Sequence, residues 1–369
     1  MPLLLKNMAR FSIDLFKRSY SDSENSLISP LSVLLALAMA ANGAEGETFQ
    51  QMEALLGGDI PLDTLNEYLL GYVGSLPSED ISRLNIVNSI WFRDDSESLR
   101  VEPGFLQRNA DYYGAAAFKS AFDDKTVKEI NSWVELNTDG MIDAILDEIH
   151  VLDMLFLINA ITFNAEWYSM YNERDVQTGA FTNISGEVRN VDFMRSAEYI
   201  YLDDGMAAGF IKPYANGGYS FAALLPNMDV SISAYVETLT DTGFLNMIES
   251  AKGRFNKVET FVPKFEFEYE IMMNETLAAL GMVDAFIDSQ ADFRRMGTSP
   301  IGNLSISEVL HKTFILVDQQ GTRAGAATTV RAEAQSPPIA TVRLDRPFLF
   351  AIIDNATNLP VFIGTLLTV

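Results

Sequence analysis

The sequence predicts a single α+β domain over residues 1–369, with helices dominating the first third and strands the remainder. Apolar patterns of helical period are concentrated near the start, whereas short apolar or alternating segments typical of strands fill the second half. No Pro/Gly-rich linker or internal repeat divides the chain, and 48% of its residues are hydrophobic. That content is sufficient for one extended core.

The clearest helix follows Ser29, in the segment SPLSVLLALAMAANGAEG. Ser29 is a suitable N-cap, Pro30 fits the first helical position, and Gly43 marks the end. The helix is apolar almost all round, so we expect it to be buried. Amphipathic helical patterns follow at 46–56, 62–74, 103–113 and 126–148.

Two nearly continuous apolar runs, LNIVNSIWF (84–92) and MLFLINAITF (154–163), predict central strands covered on both faces. The segment FEFEYE (265–270) alternates strictly, which predicts a half-exposed antiparallel strand. Further strands are expected at 219–226, 347–354 and 359–369.

Charge and composition exclude several kinds of partner. With 26 basic and 50 acidic residues the net charge is −24, which argues against nucleic acid and anionic membranes. The chain has no cysteine, so disulfides and thiolate catalysis are excluded. No apolar run approaches the ~18 residues of a membrane span, and the N-terminus lacks the features of a signal peptide.

The sequence does not predict an enzyme. Its two histidines are His150, expected at a helix end, and His311, expected to be buried and hydrogen-bonded rather than to act as a base. Familiar catalytic and nucleotide-binding motifs do not occur, and no acidic cluster has the spacing of a metal site. We therefore expect neither a cofactor nor a metal.

The most informative segment is GTRAGAATTVRAEAQSPP (321–338), which is compatible with two conformations. Read with period 2, one face is small and uncharged and the other carries every charge, as in a strand lying over a packed core. Its Ala, Thr, Gly and Pro content equally fits an exposed loop. A loop-to-strand switch and an ordinary Ala-rich linker or frayed helix remain equal alternatives on these residues alone. The small face comprises Thr322, Ala324, Ala326, Thr328, Val330, Ala332 and Ala334.

Several segments, taken in order, resemble the serpins, a family of serine protease inhibitors. They include NSLISPLSVLLALAMAANGAEGET (25–48), FLINAITFNAEW (156–167), YANGGYSFAALLP (214–226), SISEVLHKTFILVDQQGTRAGAAT (305–328) and RPFLFAIIDNATNLPVFIG (346–364). The resemblance covers nearly the whole chain. It implies a helical N-terminal part packed on large mixed or antiparallel sheets, with an exposed reactive-centre loop at about 321–342. We expect a prokaryotic member and a monomer.

By this resemblance, the small residues after Gln320 form the hinge of the loop, in the pattern of inhibitory members. The family mechanism implies a suicide inhibitor: the protease forms an acyl-enzyme on the loop, and the cut loop inserts into the main sheet. A non-inhibitory carrier, chaperone or storage protein is the alternative. The hinge comprises Gly321, Thr322, Arg323, Ala324, Gly325, Ala326, Ala327 and Thr328.

The family loop length places the scissile bond at Gln335–Ser336 when counted from Gly321, with Ala334–Gln335 as runner-up. A cut at Ser336–Pro337 is disfavoured by the proline. Neither bond offers a basic side chain, so elastase-like or subtilisin-like proteases are the expected targets. We expect an extracellular or cell-surface protein whose export signal has been removed, although the cytoplasm also fits a chain without cysteine.

The resemblance also assigns structural roles beneath the sheet. Ser29, Ser32, Asn159 and His311 map onto a polar cluster where the sheet opens, and Trp167 maps near the start of insertion. Gln319 and Arg323 stand where the family usually has acidic residues, so altered hinge electrostatics are expected rather than lost inhibition.

Overall fold

The computed structural model describes residues 3–79, 81–322 and 337–369. Within them, the α-helices are α1 Leu3–Ser19, α2 Pro30–Ala41, α3 Gly46–Gly57, α4 Leu62–Ser75, α5 Pro103–Tyr113, α6 Asp124–Asn137, α7 Ile232–Thr238, α8 Asp241–Lys252 and α9 Asn274–Ala279. The strands are β1 Ser26–Ile28, β2 Ser78–Glu79, β3 Ser82–Arg93, β4 Arg100–Val101, β5 Ala116–Ser120, β6 Leu155–Glu166, β7 Val176–Thr182, β8 Val188–Glu198, β9 Ile200–Asp203, β10 Ala207–Pro213, β11 Tyr219–Pro226, β12 Val258–Pro263, β13 Phe265–Met272, β14 Gly297–Thr298, β15 Leu310–Val317, β16 Gly321–Thr322, β17 Ala340–Arg343, β18 Phe348–Asp354 and β19 Pro360–Leu366.

Three larger sheets organise these strands. The main sheet has the order β13-β15-β16-β6-β3-β2, with β5 paired in parallel to β3. The second sheet has the order β1-β19-β18-β11-β10-β9, and the third the order β17-β12-β8-β7. A small sheet joins β14 and β4. The helical first third packs on this framework, which confirms the predicted α+β class.

Helix α2 lies between the main sheet and the second sheet, in contact with β6 and β19. It begins as predicted: the Ser29 hydroxyl accepts a hydrogen bond from the Ser32 N–H, and Pro30 occupies the first helical turn. Nearly every residue of α2 is buried, because its sequence offers no polar face to solvent. The core therefore continues from one sheet, through this helix, into the next.

The predicted strands are also present. Along β13, Phe265 is buried, whereas Glu266, Glu268 and Glu270 are exposed. This alternation is typical of an antiparallel strand with one solvent-exposed face, and β13 lies at the edge of the main sheet. Strands β3 and β6 form the longest antiparallel ladder, from Ser82 opposite Ala165 to Phe92 opposite Leu155.

The helix expected over 126–148 is wrong in its second half. Helix α6 ends at Asn137, and Asp139 and Gly140 follow with φ of 53° and 69°. The side chain of Asn131 then holds the next segment: its Oδ1 accepts from the N–H groups of Ile145 and Leu146 at 2.9 and 3.0 Å. The apolar residues of this segment therefore pack without forming a helix.

The role expected of His150 at a helix end is consequently wrong. His150 is exposed and lies in a turn, where its backbone N–H donates to the Asp153 carboxylate at 2.7 Å.

Candidate functional site

Strand β16, Gly321–Thr322, lies between β15 and β6 at one end of the main sheet. Thr322 pairs with Val317 of β15 and with Ala165 of β6, antiparallel to both. Strands β15 and β6 are therefore parallel to one another, and the described pairings join them only through β16. The first two residues of the predicted hinge already belong to the sheet.

Glycine is required at 321 because the neighbouring strand approaches too closely for a side chain. A Cβ there would lie 2.0 Å from the Ala165 carbonyl oxygen. The turn that leads into it is closed by Asp318, whose Oδ1 accepts from the N–H groups of Gln320 and Gly321 at 2.8 and 3.2 Å.

Trp167 holds this turn from below. Its indole Nε1 donates to the Asp318 carbonyl oxygen, and its backbone N–H donates to the Gln320 carbonyl oxygen, each at 2.9 Å. The indole stacks on the Tyr214 ring with centroids 4.6 Å apart. The Tyr214 hydroxyl in turn lies 2.7 Å from the Thr322 hydroxyl, in a fully buried site. Trp167 therefore lies at the turn that leads into Gly321 and Thr322, the first residues of the predicted hinge.

A buried ion pair supports the same aromatic stack. Lys212 Nζ lies 2.8 Å from Glu198 Oε1, and the side chains are 1% and 8% exposed. Nζ also lies 4.4 Å from the centroid of Tyr171, whose N–H donates to the Gln319 carbonyl oxygen. Burial favours the neutral amine, but attraction and hydrogen bonding by Glu198 and Tyr171 together outweigh it and raise the pKa of Lys212. Lys212 therefore stays charged beneath the predicted hinge.

The predicted polar cluster assembles farther down the sheet. His311 of β15 accepts a hydrogen bond at Nε2 from the Ser29 N–H, at 3.0 Å, and the Ser29 hydroxyl donates to the Val361 carbonyl oxygen at 2.8 Å. The Ser32 hydroxyl bonds to the Asn159 side chain on β6. The residues expected together from the family resemblance thus join β15, α2 and β6.

Sequence reasoning missed the remainder of this chain of bonds. Asn159 Nδ2 donates to Asn88 Oδ1 at 2.6 Å, and Asn88 Nδ2 donates to the Tyr113 carbonyl oxygen at 2.8 Å. The polar cluster therefore extends across β3 to helix α5. Asn88 lies within the apolar segment 84–92. A polar residue in such a segment was the signal that could have identified it as part of the cluster.

On β6, Asn159 precedes Ala165, the partner of Thr322, by six positions, so the cluster lies about 20 Å from β16. The remaining predicted site residues lie outside the described residues: Arg323, Ala324, Gly325, Ala326, Ala327, Thr328, Ala334, Gln335 and Ser336.

No helix in residues 3–79, 81–322 or 337–369 has both the length and the apolar character needed to cross a bilayer. The same ranges contain no group of three or more His, Asp or Glu side chains placed to hold a metal ion.

The family model for serpins, described as serine protease inhibitors, matches residues 6–369. The chain belongs to the serpin family. The serpin fold is not catalytic, which agrees with the absence of catalytic motifs in the sequence. Human Serpin B8 is 31% identical to this serpin, covering 96% of each chain. A serpin-like protein of Thermococcus kodakarensis is also 31% identical, covering 97% of this chain and 84% of its own.

Solved structures confirm the fold. The thermophilic serpin Tengpin in its native state is 51% identical, with a TM-score of 0.95 and coverage of 100% of this chain and 95% of that chain. Tengpin in its latent state is 48% identical, with a TM-score of 0.90 and coverage of 100% and 98%. The present structure is thus more similar to the native-state structure than to the latent one.

Burial of His311 makes the polar cluster sensitive to acid. Burial lowers the pKa of His311 from 6.5 to about 4, and protonation would remove the acceptor of the Ser29 N–H. The unfolded chain takes up the proton first, so the free energy of unfolding should fall between pH 6.5 and 4 by on the order of 3 kcal/mol. Denaturant unfolding at several pH values would measure this.

The control is His311→Gln, which keeps an acceptor but does not titrate. Its unfolding free energy should lose less between pH 6.5 and 4 than that of the parent, since the carboxylates contribute equally to both. Identical pH profiles would show that His311 does not titrate as its burial requires.

Proposed function

We propose that this serpin is a suicide inhibitor of serine proteases, which traps its target by inserting the cleaved loop between β15 and β6. The main support for this proposal is the pairing of Gly321 and Thr322 with these strands. In the described residues, β15 and β6 form no ladder with each other. The start of the proposed inserted strand is therefore in register before any bond is cut.

The register of β16 defines what continued insertion would bring together. Extending both ladders by six residues pairs Thr328 with His311 on β15 and with Asn159 on β6. Thr322 faces inward, so the alternation of a strand puts Thr328 on the same face. A threonine hydroxyl would then enter the polar cluster, and small side chains would cover the core between cluster and hinge.

Insertion is favourable because it adds a strand to a sheet. About 12 residues could be added, and at ~0.5–1.5 kcal/mol per hydrogen bond the gain is on the order of 10 kcal/mol. The intact protein would then be kinetically trapped rather than in its most stable state. Cleavage of the loop releases the constraint that prevents further insertion.

The chemistry of trapping belongs to the protease. Its serine oxygen attacks the Gln335 carbonyl carbon, the bond to the Ser336 nitrogen breaks, and that nitrogen leaves as an amine after taking up a proton from the catalytic histidine. Insertion then carries the Gln335 ester and the attached protease along the sheet before water can hydrolyse the ester. The runner-up bond, Ala334–Gln335, would follow the same course.

The proposed targets are elastase-like or subtilisin-like enzymes, because Ala334, Gln335 and Ser336 offer no cation to an acidic specificity pocket. Such targets fit an extracellular or cell-surface location. A ligand-carrying serpin, thyroxine-binding globulin, shares the fold at 22% identity, which carries no functional argument for this chain. The small-residue hinge favours inhibition.

A panel of proteases tests this proposal. Incubation with pancreatic elastase or subtilisin should give a band that resists denaturant near the summed mass, and a C-terminal peptide beginning near Ser336. Trypsin should react more slowly, because Arg331 lies four positions before Gln335. Reversible inhibition with an intact chain would refute covalent trapping, and faster reaction with trypsin would refute the assigned bond.

The variant Thr322→Arg should turn the inhibitor into a substrate. Thr322 is 2% exposed and its hydroxyl contacts Tyr214, so a guanidinium there would be buried without a carboxylate partner. That burial costs several kcal/mol, so the substituted residue would leave its place between β15 and β6, and insertion would have to overcome the same cost to begin. Slower insertion leaves time for deacylation, so the moles of inhibitor consumed per mole of protease inactivated should rise several-fold.

The matched control is Arg323→Glu, at the position expected to face the opposite side of an extended strand. Its consumption ratio should stay within about twofold of the parent, since 0.4 kcal/mol corresponds to a factor of two. An unchanged ratio for Thr322→Arg would contradict insertion along this face.

A further inference from the structure

A cavity lies between α1, α3 and the turn that follows α9. Its volume is about 460 Å³, which falls within the range of small-molecule sites. The apolar side chains of Phe11, Leu55 and Leu280 line it, together with several charged side chains. All of these elements lie outside the main sheet, so the cavity is separate from the proposed path of loop insertion.

Side-chain hydrogen bonds hold the three walls of this cavity together. Asn7 Nδ2 of α1 donates to the Gly57 carbonyl oxygen at the end of α3, at 2.5 Å. Gln51 Oε1 of α3 accepts from the N–H groups of Val283 and Asp284, each at 2.9 Å, just after the turn. The walls are therefore in place without a ligand, which keeps the ordering cost of binding small.

The charged side chains of the cavity are separated by sign. Arg10 lies at the end of α3, because a Cβ at Gly58 would be 3.2 Å from a nitrogen of its guanidinium. Glu47 lies in the first turn of α3, at the opposite end of that helix. Asp14 lies one turn farther along α1 than Arg10, away from the end of α3. The cavity thus has a positive end and a negative end.

These charges are available to a ligand. Within the part of the chain that the structure describes, the side chains of Arg10, Asp14 and Glu47 form no hydrogen bond or ion pair. Compensation of the α3 dipole accounts for Arg10 and Glu47, but not for Asp14, which lies well inside α1. Unpaired charges of both signs beside apolar side chains fit a zwitterionic ligand that also has an apolar group.

The length of the cavity sets the length of that ligand. Along α3 the lining extends from Glu47 to Leu55, which is about 12 Å of helix. A charge-assisted hydrogen bond takes about 3 Å at each end, which leaves roughly 6 Å between the ammonium and carboxylate groups. Two residues of extended chain span at most about 7 Å. A dipeptide therefore fits, whereas the charges of a single α-amino acid are too close together.

We propose that this cavity binds dipeptides that carry an apolar side chain. Arg10 holds the carboxylate through its planar fork of N–H groups, and Asp14 and Glu47 accept hydrogen bonds from the ammonium group. The apolar side chain of the dipeptide packs on Phe11 and Leu280. This binding site goes beyond the proposed inhibition and does not depend on it.

The test is isothermal titration calorimetry of the full chain with alanyl-leucine. Saturable binding is expected, with a Kd of about 1 mM or below. N-acetyl-alanyl-leucine lacks the ammonium group and alanyl-leucine amide lacks the carboxylate, so each should bind about tenfold more weakly. Free leucine should also bind more weakly, because it is too short. Failure of alanyl-leucine to bind at about 10 mM, or equal binding of its two blocked forms, would overturn the site.

Two variants assign the ends of the dipeptide. Arg10→Gln should weaken binding of alanyl-leucine about tenfold but leave binding of its amide unchanged, and Asp14→Asn should do the same for the free and N-acetylated forms. The matched controls are Arg18→Gln and Asp22→Asn, at exposed positions outside the cavity lining, with the parent affinity expected for both. Parent affinity for Arg10→Gln and Asp14→Asn would leave these charges with a role in helix stability only and would contradict the proposal.

Discussion

Strands β6 and β15 run parallel in the main sheet, and the two residues of β16 pair with both. This pairing sets the requirements on its neighbours. Gly321 must lack a side chain because the Ala165 carbonyl is too close, and Thr322 must be small and able to bond to Tyr214. In the proposed mechanism, further insertion would start from this register, with Thr322 on the inward side.

Two kinds of buried polar structure lie beneath this position. Near the hinge, the Lys212–Glu198 pair supports Trp167 and Tyr171, which carry the turn. Farther down, the polar cluster joins His311 to α2 and β6 through neutral hydrogen bonds. Hydrogen-bonded groups can exchange partners when strands separate, whereas interlocked apolar side chains resist the separation of the strands. A hydroxyl from Thr328 would offer the cluster a new partner after insertion.

Much of this arrangement could be predicted from the sequence. The all-apolar pattern after Ser29 predicted a buried helix, and the alternation in 265–270 predicted an edge strand, because period and hydrophobicity are local properties. Thr322, the first residue of the predicted small face, is buried, whereas the other residues of that face lie outside the described residues. The family resemblance brought Ser29, Asn159 and His311 together across the chain, which no local pattern could do.

The missed features depend on tertiary contacts. The apolar residues at 138–148 suggested a continuing helix, but Gly140 ends it and the Asn131 side chain replaces helical bonds with its own. Helix α1, Leu3–Ser19, was not predicted, although Met8, Phe11 and Leu15 recur with helical period on its buried face. The ion pair of Lys212 and Glu198 joins different sheets, and its partners are chosen by packing that sequence spacing does not reveal.

The most direct test of the account compares the thermal unfolding of the intact chain with that of the same chain cut in its loop near Ser336. If the cut loop inserts between β15 and β6, the added strand should raise Tm by about 10 °C or more, since a gain on the order of 10 kcal/mol is distributed over a large domain. An equal or lower Tm for the cut protein would show that the loop does not insert, and would contradict the proposed mechanism.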